Sequence, residues 1–254
     1  MYLRECQGVD LRRLPAAAKL GSGPVTAEFY DQLFAAIQAR GQSAPEWIAS
    51  KQTLGRDIAA RILQPWKERH GRAPRILATG AGEAWAECTW LEAGFAVTIH
   101  DGTSAYFEAI QARQPQASFL QSDMASFTPE QTFDVISMLA NDFVLDRAGF
   151  VDFCRRMAAA LSPGGMIICY CPSVLSLRRI LIEALRRATG YYRRNQWIFW
   201  GWWRSPGEFQ RVSRAAGLQL TNAFKPSNGG WAAQSLTLPS WKENNGIFLF
   251  EKAI

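Results

Sequence analysis

Metal-type cysteine spacing, long apolar runs and internal repeats are absent from this chain of 254 residues. Its five cysteines are odd in number and show no metal-binding pattern, so we expect reduced thiols and no metal. No apolar run approaches the ~18 residues that span a bilayer. No apolar segment follows the first residues, so no signal peptide is indicated. These absences predict a cytoplasmic chain without a transmembrane segment.

The composition is that of an ordinary globular protein, with 48% hydrophobic residues and a net charge of +6. The length suits one large domain, or one domain with a cap. So modest a charge argues against nucleic acid as the main partner.

Residues 75–84, Arg-Ile-Leu-Ala-Thr-Gly-Ala-Gly-Glu-Ala, predict a strand, a tight glycine turn and the start of a helix. In open α/β sheets a nucleotide-like ligand lies in the crevice beyond such a turn. A dinucleotide is disfavoured, because Trp85 stands where the fingerprint has its third glycine. Glu83 would also repel a pyrophosphate at the helix N-terminus. A ligand that carries an amino group and a sulfonium fits better.

Four further segments follow in order: an acid after a strand (Asp101), Phe119–Met124, Thr132–Leu139, and a Pro-Gly-Gly turn before a strand (Leu161–Ile168). With the glycine turn, this pattern over residues 75–172 resembles the class I S-adenosylmethionine (SAM)-dependent methyltransferases. The chain departs from that family at Ala78, where an acid is usual, and at Ala84, where a third glycine is usual.

The resemblance implies an α/β fold with a doubly wound, seven-stranded, mostly parallel sheet. Residues 1–72 would form a helical N-terminal cap, and residues 73–254 the SAM-binding core, with a basic and aromatic cap insertion over residues 173–204. SAM is the implied cofactor, with Asp101 on the ribose and Asp123 on the adenine. The implied cofactor-binding residues are Thr79, Gly80, Ala81, Gly82, Asp101, Gly102, Asp123, Met124 and Leu139.

The N-terminal region has helical periodicity, and a capping box at Ser43–Glu46 predicts the start of its second helix. In this family such helices fold over the cofactor, so Tyr30 and Lys51 are candidates to reach it. The alternative is that Tyr30 belongs to the core and Lys51 is solvated.

The C-terminal part predicts a helix after a second capping box at Ser205–Glu208. The last two strands are predicted at Leu218–Asn222 and Gly246–Lys252, with the final one antiparallel. Residues 223–245 between them are interpreted as a long polar connection.

Methyl transfer to oxygen needs a proton acceptor, which would lie at the carboxyl end of the fourth strand of the core. Neither histidine stands there, so Asp142 is the candidate base and Asn141 an orienting donor. Alternatively, Asp142 only caps the following turn. The chain lacks an Asn/Asp-Pro-Pro-aromatic signature, which argues against methylation of a nucleobase amino group.

The cap insertion combines arginine pairs with seven aromatic residues between Tyr191 and Trp203. Arginine suits anionic groups, and clustered aromatics suit sugar faces or a membrane interface. The candidate acceptor-binding residues are Arg186, Arg187, Trp200 and Trp202. Alternatively, Glu183 bridges Arg179 and Arg187 on a solvated helix face.

The sequence thus predicts a methyltransferase for a small-molecule or glycan acceptor, with oxygen favoured and an anionic or lipid-linked acceptor left open. Contact with a membrane surface is left open as well. The alternative from another class is a non-catalytic SAM-fold binding or scaffold protein, and an NAD-dependent oxidoreductase is a distant third.

Overall fold

The computed structural model describes residues 2–7, 45–191, 198–227, 230–236, 240–242 and 244–252. Tyr30 and Ser43 lie outside these residues. The elements in chain order are β1 (Tyr2–Gln7), α1 (Pro45–Ile58), a π-helical turn (Ala59–Leu63), α2 (Gln64–His70), β2 (Arg75–Thr79), α3 (Trp85–Glu92), β3 (Ala96–Asp101), α4 (Phe107–Arg113), β4 (Ser118–Gln121), β5 (Phe133–Leu139), a 3-10 turn (Asp142–Val144), α5 (Arg147–Ala159), β6 (Leu161–Val174), α6 (Leu177–Ala188), β7 (Ile198–Arg204), α7 (Pro206–Ala215), β8 (Leu218–Ser227), β9 (Gly230–Ala233) and β10 (Asn244–Lys252).

The central sheet has the strand order β4-β3-β2-β5-β6-β10-β8-β9. Strands β2 to β6 pair in parallel, whereas β10 is antiparallel to both β6 and β8. The predicted mostly parallel sheet with an antiparallel last strand is therefore confirmed, and β9 adds an eighth strand to the predicted seven. The strand order reverses between β2 and β5, and a ligand crevice forms beyond the carboxyl ends of strands at such a point.

Three segments differ from the sequence-based expectations. Residues 2–7, within the segment expected to be a helical cap, form a strand that pairs antiparallel with β7. The connection expected over residues 223–245 is partly strand, because β8 continues to Ser227 and pairs with β9 in a hairpin. The capping box at Ser205 is wrong, since the Ser205 side chain makes no capping hydrogen bond and Glu208 instead binds Arg147 and Arg211.

The two faces of the sheet carry separate apolar cores. Helices α1, α2 and α3 cover one face, and α5 and α7 cover the other. Helix α1 crosses α3 at Gly55, where an added Cβ would lie 2.4 Å from the carbonyl oxygen of Ala86. Trp90 of α3 donates to the carbonyl of Gly55 at 2.8 Å. This close crossing fixes α1 beside the first turn of α3, next to the crevice.

Candidate active site

The glycine turn between β2 and α3 is built for close approach. Gly80 and Gly82 have φ of 61° and 54°, a region that costs other residues about 1–2 kcal/mol. A Cβ on Gly80 would lie 1.9 Å from Nδ2 of Asn141 and 2.7 Å from Cε of Met124. Ala84, in place of the family's third glycine, also has a positive φ of 52°. The turn therefore keeps its left-handed shape although one glycine is missing.

Asp101 is the last residue of β3, and its side chain binds the backbone of the glycine turn. Its carboxylate accepts from the backbone N–H of Gly82 at 2.8 Å and from that of Thr103 at 3.1 Å. Burial raises the pKa of nearby Tyr106 to about 12, with the charges of Glu83 and Asp101 adding to the effect. Tyr106 gave no sequence signal because it lies in the turn before α4.

His100, next to Asp101 in β3, lies on the other face of the sheet, as strand alternation predicts. Its ring stacks on Phe127 with 3.8 Å between centroids, and Nε2 lies 2.9 Å from the hydroxyl of Ser122. Burial lowers the pKa of His100 to about 4, which keeps it neutral. It is a core residue.

The carboxyl end of β5 lies against the glycine turn. Asn141 donates to the carbonyl of Thr79 at 2.5 Å, and its buried Oδ1 has no hydrogen-bond partner among the described residues. The Thr79 side chain is buried, and its hydroxyl donates to the carbonyl of Ser137 at 2.9 Å. Thr79 therefore supports the turn with its side chain. Between these elements, Ala140 adopts φ of 65°, a strained conformation typical of functional sites.

The remaining predicted cofactor residues stand at, or within three residues after, the carboxyl ends of β3, β4 and β5. Gly102 and Met124 are half-buried, Leu139 is buried at the end of β5, and Asp123 is exposed. One carboxylate oxygen of Asp123 accepts from the N–H of Ala125 at 2.8 Å, which fixes its position.

Asp142, the predicted base, is buried and faces Arg204, the last residue of β7. The two side chains approach to 3.6 Å, and both are almost fully inaccessible to solvent. Burial raises the pKa of Asp142 to about 6, although Arg204 opposes the shift. Arg204 also donates to the carbonyls of Asp142, Leu145 and Asp146. The sequence analysis anticipated Asp142 as a base or as a cap of the following turn, and not this pairing with Arg204. Catalysis by Asp142 stays a prediction.

Lys51 on α1 reaches the carboxyl edge of the sheet. Its ammonium lies 4.5 Å from the ring centroid of Trp47 and 5.6 Å from that of Tyr170, which pairs with Leu139. Lys51 is thus half-buried beside the site. Glu87 in the first turn of α3 is buried nearby and was missed by the sequence analysis.

The cap insertion approaches the same edge through Arg204. Arg187 forms an ion pair with Glu183 at 2.9 Å, which is one of the two pairs in the alternative interpretation, but Glu183 is buried and not part of a solvated face. Arg179 lies over the ring of Trp203. Arg186 lies over the ring of Tyr191. Two further acceptor candidates lie in β7: Trp202, which is half-buried, and Trp200, whose side chain lies outside the described residues.

Several solved structures share this arrangement of strands and helices. The chain is similar to the glycopeptide N-methyltransferase MtfA complexed with SAM, with a TM-score of 0.56 and 13% identity over 80% of this chain and 87% of that chain. It is similar to magnesium protoporphyrin IX methyltransferase (ChlM) from Synechocystis PCC 6803 with bound S-adenosylhomocysteine (SAH), with a TM-score of 0.60 and 12% identity over 89% and 98% of the two chains.

The chain has the fold of the class I SAM-dependent methyltransferases. A TehB-like SAM-dependent methyltransferase from Corynebacterium glutamicum is also similar, with 20% identity, a TM-score of 0.51, and coverage of 89% of this chain and 98% of that chain. No protein-family model matches the chain, and no curated protein matches it in sequence.

Proposed function

We propose that this chain is a methyltransferase that uses SAM. The observation that carries the proposal is the left-handed Gly80 turn, pressed between Asn141 and Met124 at the point where the strand order reverses. A cradle that a single Cβ would fill, beside the unpartnered Oδ1 of Asn141, suits a ligand laid against the backbone. When bound, SAM supplies a methyl group activated on a sulfonium.

The residues that would hold the cofactor surround this turn. The backbone of Gly80, Ala81 and Gly82 would lie along it, and Asp101 would accept from the ribose hydroxyls. Asp123, Met124 and the backbone at Gly102 would enclose the adenine, and Leu139 would pack beneath. The enzyme's remaining task is to align the acceptor and exclude water.

The cofactor assignment predicts that Asp101→Ala weakens SAH binding by roughly ten- to hundredfold, because two ribose hydroxyls lose their acceptor. Calorimetry on the intact chain and the variant measures this. Asp152→Ala, an exposed carboxylate on α5, is the control and should bind SAH like the parent. Equal binding by Asp101→Ala would contradict the assignment, and a melting temperature raised by NAD instead of SAH would favour the oxidoreductase.

We propose an anionic acceptor, a small molecule or a glycan, methylated on oxygen. Arg204 binds Asp142 and so holds β7 against the 3-10 turn that follows β5. This contact supports the proposal that Trp202 of β7, together with Arg186 and Arg187, lies beside the acceptor. Incubation with SAM bearing a labelled methyl group and fractionated cell extract, followed by mass spectrometry, would identify the acceptor. A chain that binds SAH but labels nothing in any fraction would favour the binding or scaffold alternative.

A lipid-linked acceptor is supported by the outer face of α6. Leu177, Leu181 and Leu185 recur one turn apart and are 42%, 57% and 65% exposed. Four arginines stand on the same helix, and an apolar stripe flanked by cations suits the surface of an anionic membrane. None of the helices in the described parts of the chain is long and apolar enough to cross a bilayer.

Vesicle sedimentation tests this membrane contact. We expect binding to vesicles rich in phosphatidylglycerol, weaker binding to phosphatidylcholine, and loss of binding in the Leu181→Gln, Leu185→Gln double variant. Leu120→Gln, which changes a similarly exposed leucine on the edge strand β4, is the control and should bind normally. Unchanged binding of the double variant would show that α6 is not the contact, and a soluble acceptor would then be favoured.

A further inference from the structure

Two oppositely charged side chains, Lys51 and Glu87, lie on helices that cross beside the glycine turn, and they form no ion pair with each other. Glu87 lies in the first turn of α3, the turn nearest the glycines, and is only 3% exposed. Lys51 lies on α1, one helical turn before Gly55, and Gly55 contacts Ala86, the neighbour of Glu87. The crossing at Gly55 therefore brings Lys51 and Glu87 near enough for the charge of each to influence the pKa of the other.

The described residues contain no ion pair between Lys51 and Glu87 within the 4.0 Å that defines one. The Lys51 ammonium faces the rings of Trp47 and Tyr170 instead. Burial raises the pKa of Glu87 to about 7, and burial lowers the pKa of Lys51, while each charge favours the ionised form of the other. Two desolvated charges that do not meet destabilise the free protein.

A zwitterion would satisfy both charges at once, because it carries an ammonium for a carboxylate and a carboxylate for an ammonium. The amino-acid end of SAM is such a zwitterion. Strand β2 supplies no carboxylate at this edge, since the residue before Thr79 is Ala78. The buried Glu87 is therefore available for that role from the helix that follows the turn.

We propose that Glu87 and Lys51 bracket the amino-acid end of SAM, with Glu87 holding the α-ammonium and Lys51 the α-carboxylate. This inference rests on the proposed function. It makes Glu87 a cofactor-positioning residue in place of an acid on β2.

The bracket predicts a pH dependence of binding. Glu87 must be ionised to hold an ammonium, so SAH affinity should rise as the pH increases through about 7. The charged groups that face Glu87 are Lys51 on α1, which favours its ionisation, and Asp101 at the end of β3, which opposes it. The neighbouring thiol of Cys88 has a pKa raised by burial and stays neutral in this range.

The test compares SAH with 5′-methylthioadenosine, which has the same adenosine and thioether but no amino-acid end. Glu87→Gln and Lys51→Met should weaken SAH roughly ten- to hundredfold and leave methylthioadenosine within about twofold. SAH affinity of the parent should rise between about pH 6 and about pH 8, and that of Glu87→Gln should stay flat. Glu92→Gln, the same change at an exposed site at the far end of α3, should alter neither ligand.

A stability measurement separates cofactor positioning from a structural role. Removal of a buried, unpaired charge should raise the melting temperature of the cofactor-free Glu87→Gln variant at about pH 8, whereas a structural role would lower it. If the variants bound SAH and methylthioadenosine equally more weakly, or if the SAH affinity of the parent did not change with pH, the proposed bracket would be overturned. Failure of the parent to bind either ligand would instead refute the proposed function.

Discussion

Replacing Gly80 by alanine should abolish measurable SAH binding and lower the free energy of unfolding by about 2–5 kcal/mol. The left-handed φ of 61° disfavours any side chain. A Cβ would also lie 1.9 Å from Nδ2 of Asn141, so Asn141 would be pushed from the carbonyl of Thr79. The turn and the end of β5 would then separate at the place where the cofactor should lie. Calorimetry and denaturant unfolding measure the two effects.

Gly82→Ala is the matched control, because Gly82 has a similar φ of 54° but a Cβ there would meet nothing within 4 Å. In the cofactor-free chain it should cost only the backbone strain, about 1–2 kcal/mol. If both variants lose the same stability, the close approach of Asn141 is not what requires glycine at position 80.

The part of the fold around the cofactor could be predicted because its signals are local. Gly80 and Gly82 mark a left-handed turn after an apolar run, and Asp101 follows the next strand at the expected distance. Each parallel strand is a short apolar segment bounded by polar turns, so the order of segments along the chain indicates the order of the strands. The same local signals located Asn141 at the end of β5.

Pairings between distant segments could not be predicted in the same way. Strand β1 pairs with β7, which lies about 200 residues later in the chain, and Tyr2–Gln7 shows no alternation that would mark a strand. The β8–β9 hairpin did have a signal, since Asn228-Gly229 is typical of two-residue hairpin turns. Pro226 argues against a strand just before this turn, because proline interrupts the pattern of a strand.

Buried charges were the other omission, because their partners lie far away in sequence. Glu87 stands three and four residues before Trp90 and Leu91, so helical spacing alone places it on a buried face of α3. Helical spacing within α3 does not show that Lys51, on the separate helix α1, lies near Glu87. Arg204 is the last residue of the predicted cap insertion, and its hydrogen-bond partners lie about sixty residues earlier in the chain.

Arg204→Met should lower the free energy of unfolding by about 3–5 kcal/mol, the usual cost of removing one partner from a buried charge pair. The methionine would fill the space over the ring of Phe150, which lies 4.4 Å from the guanidinium. It would leave the carbonyls of Asp142, Leu145 and Asp146 without their buried donor. Denaturant unfolding measures the loss. Arg179→Met is the control, because Arg179 lies on the more exposed helix α6 with its guanidinium over the ring of Trp203. This change should lower the free energy of unfolding by less than about 1 kcal/mol.

Asp142→Asn then decides what the carboxylate of this pair does. Burial raises the folded-state pKa of Asp142 to about 6, above the value in the unfolded chain. The protonated carboxyl therefore contributes stability that is fully present below the unfolded pKa and is lost as the pH rises through about 6. At about pH 8 the amide removes the cost of burying an ionised carboxylate but leaves Arg204 without its charged partner, so these effects offset and the melting temperature should stay within a few degrees of the parent. If Asp142 accepts the proton of a hydroxyl acceptor, turnover should fall roughly a hundredfold or more while SAH binding is unchanged. Unchanged turnover would mean that Asp142 serves only Arg204, or that the acceptor atom needs no base.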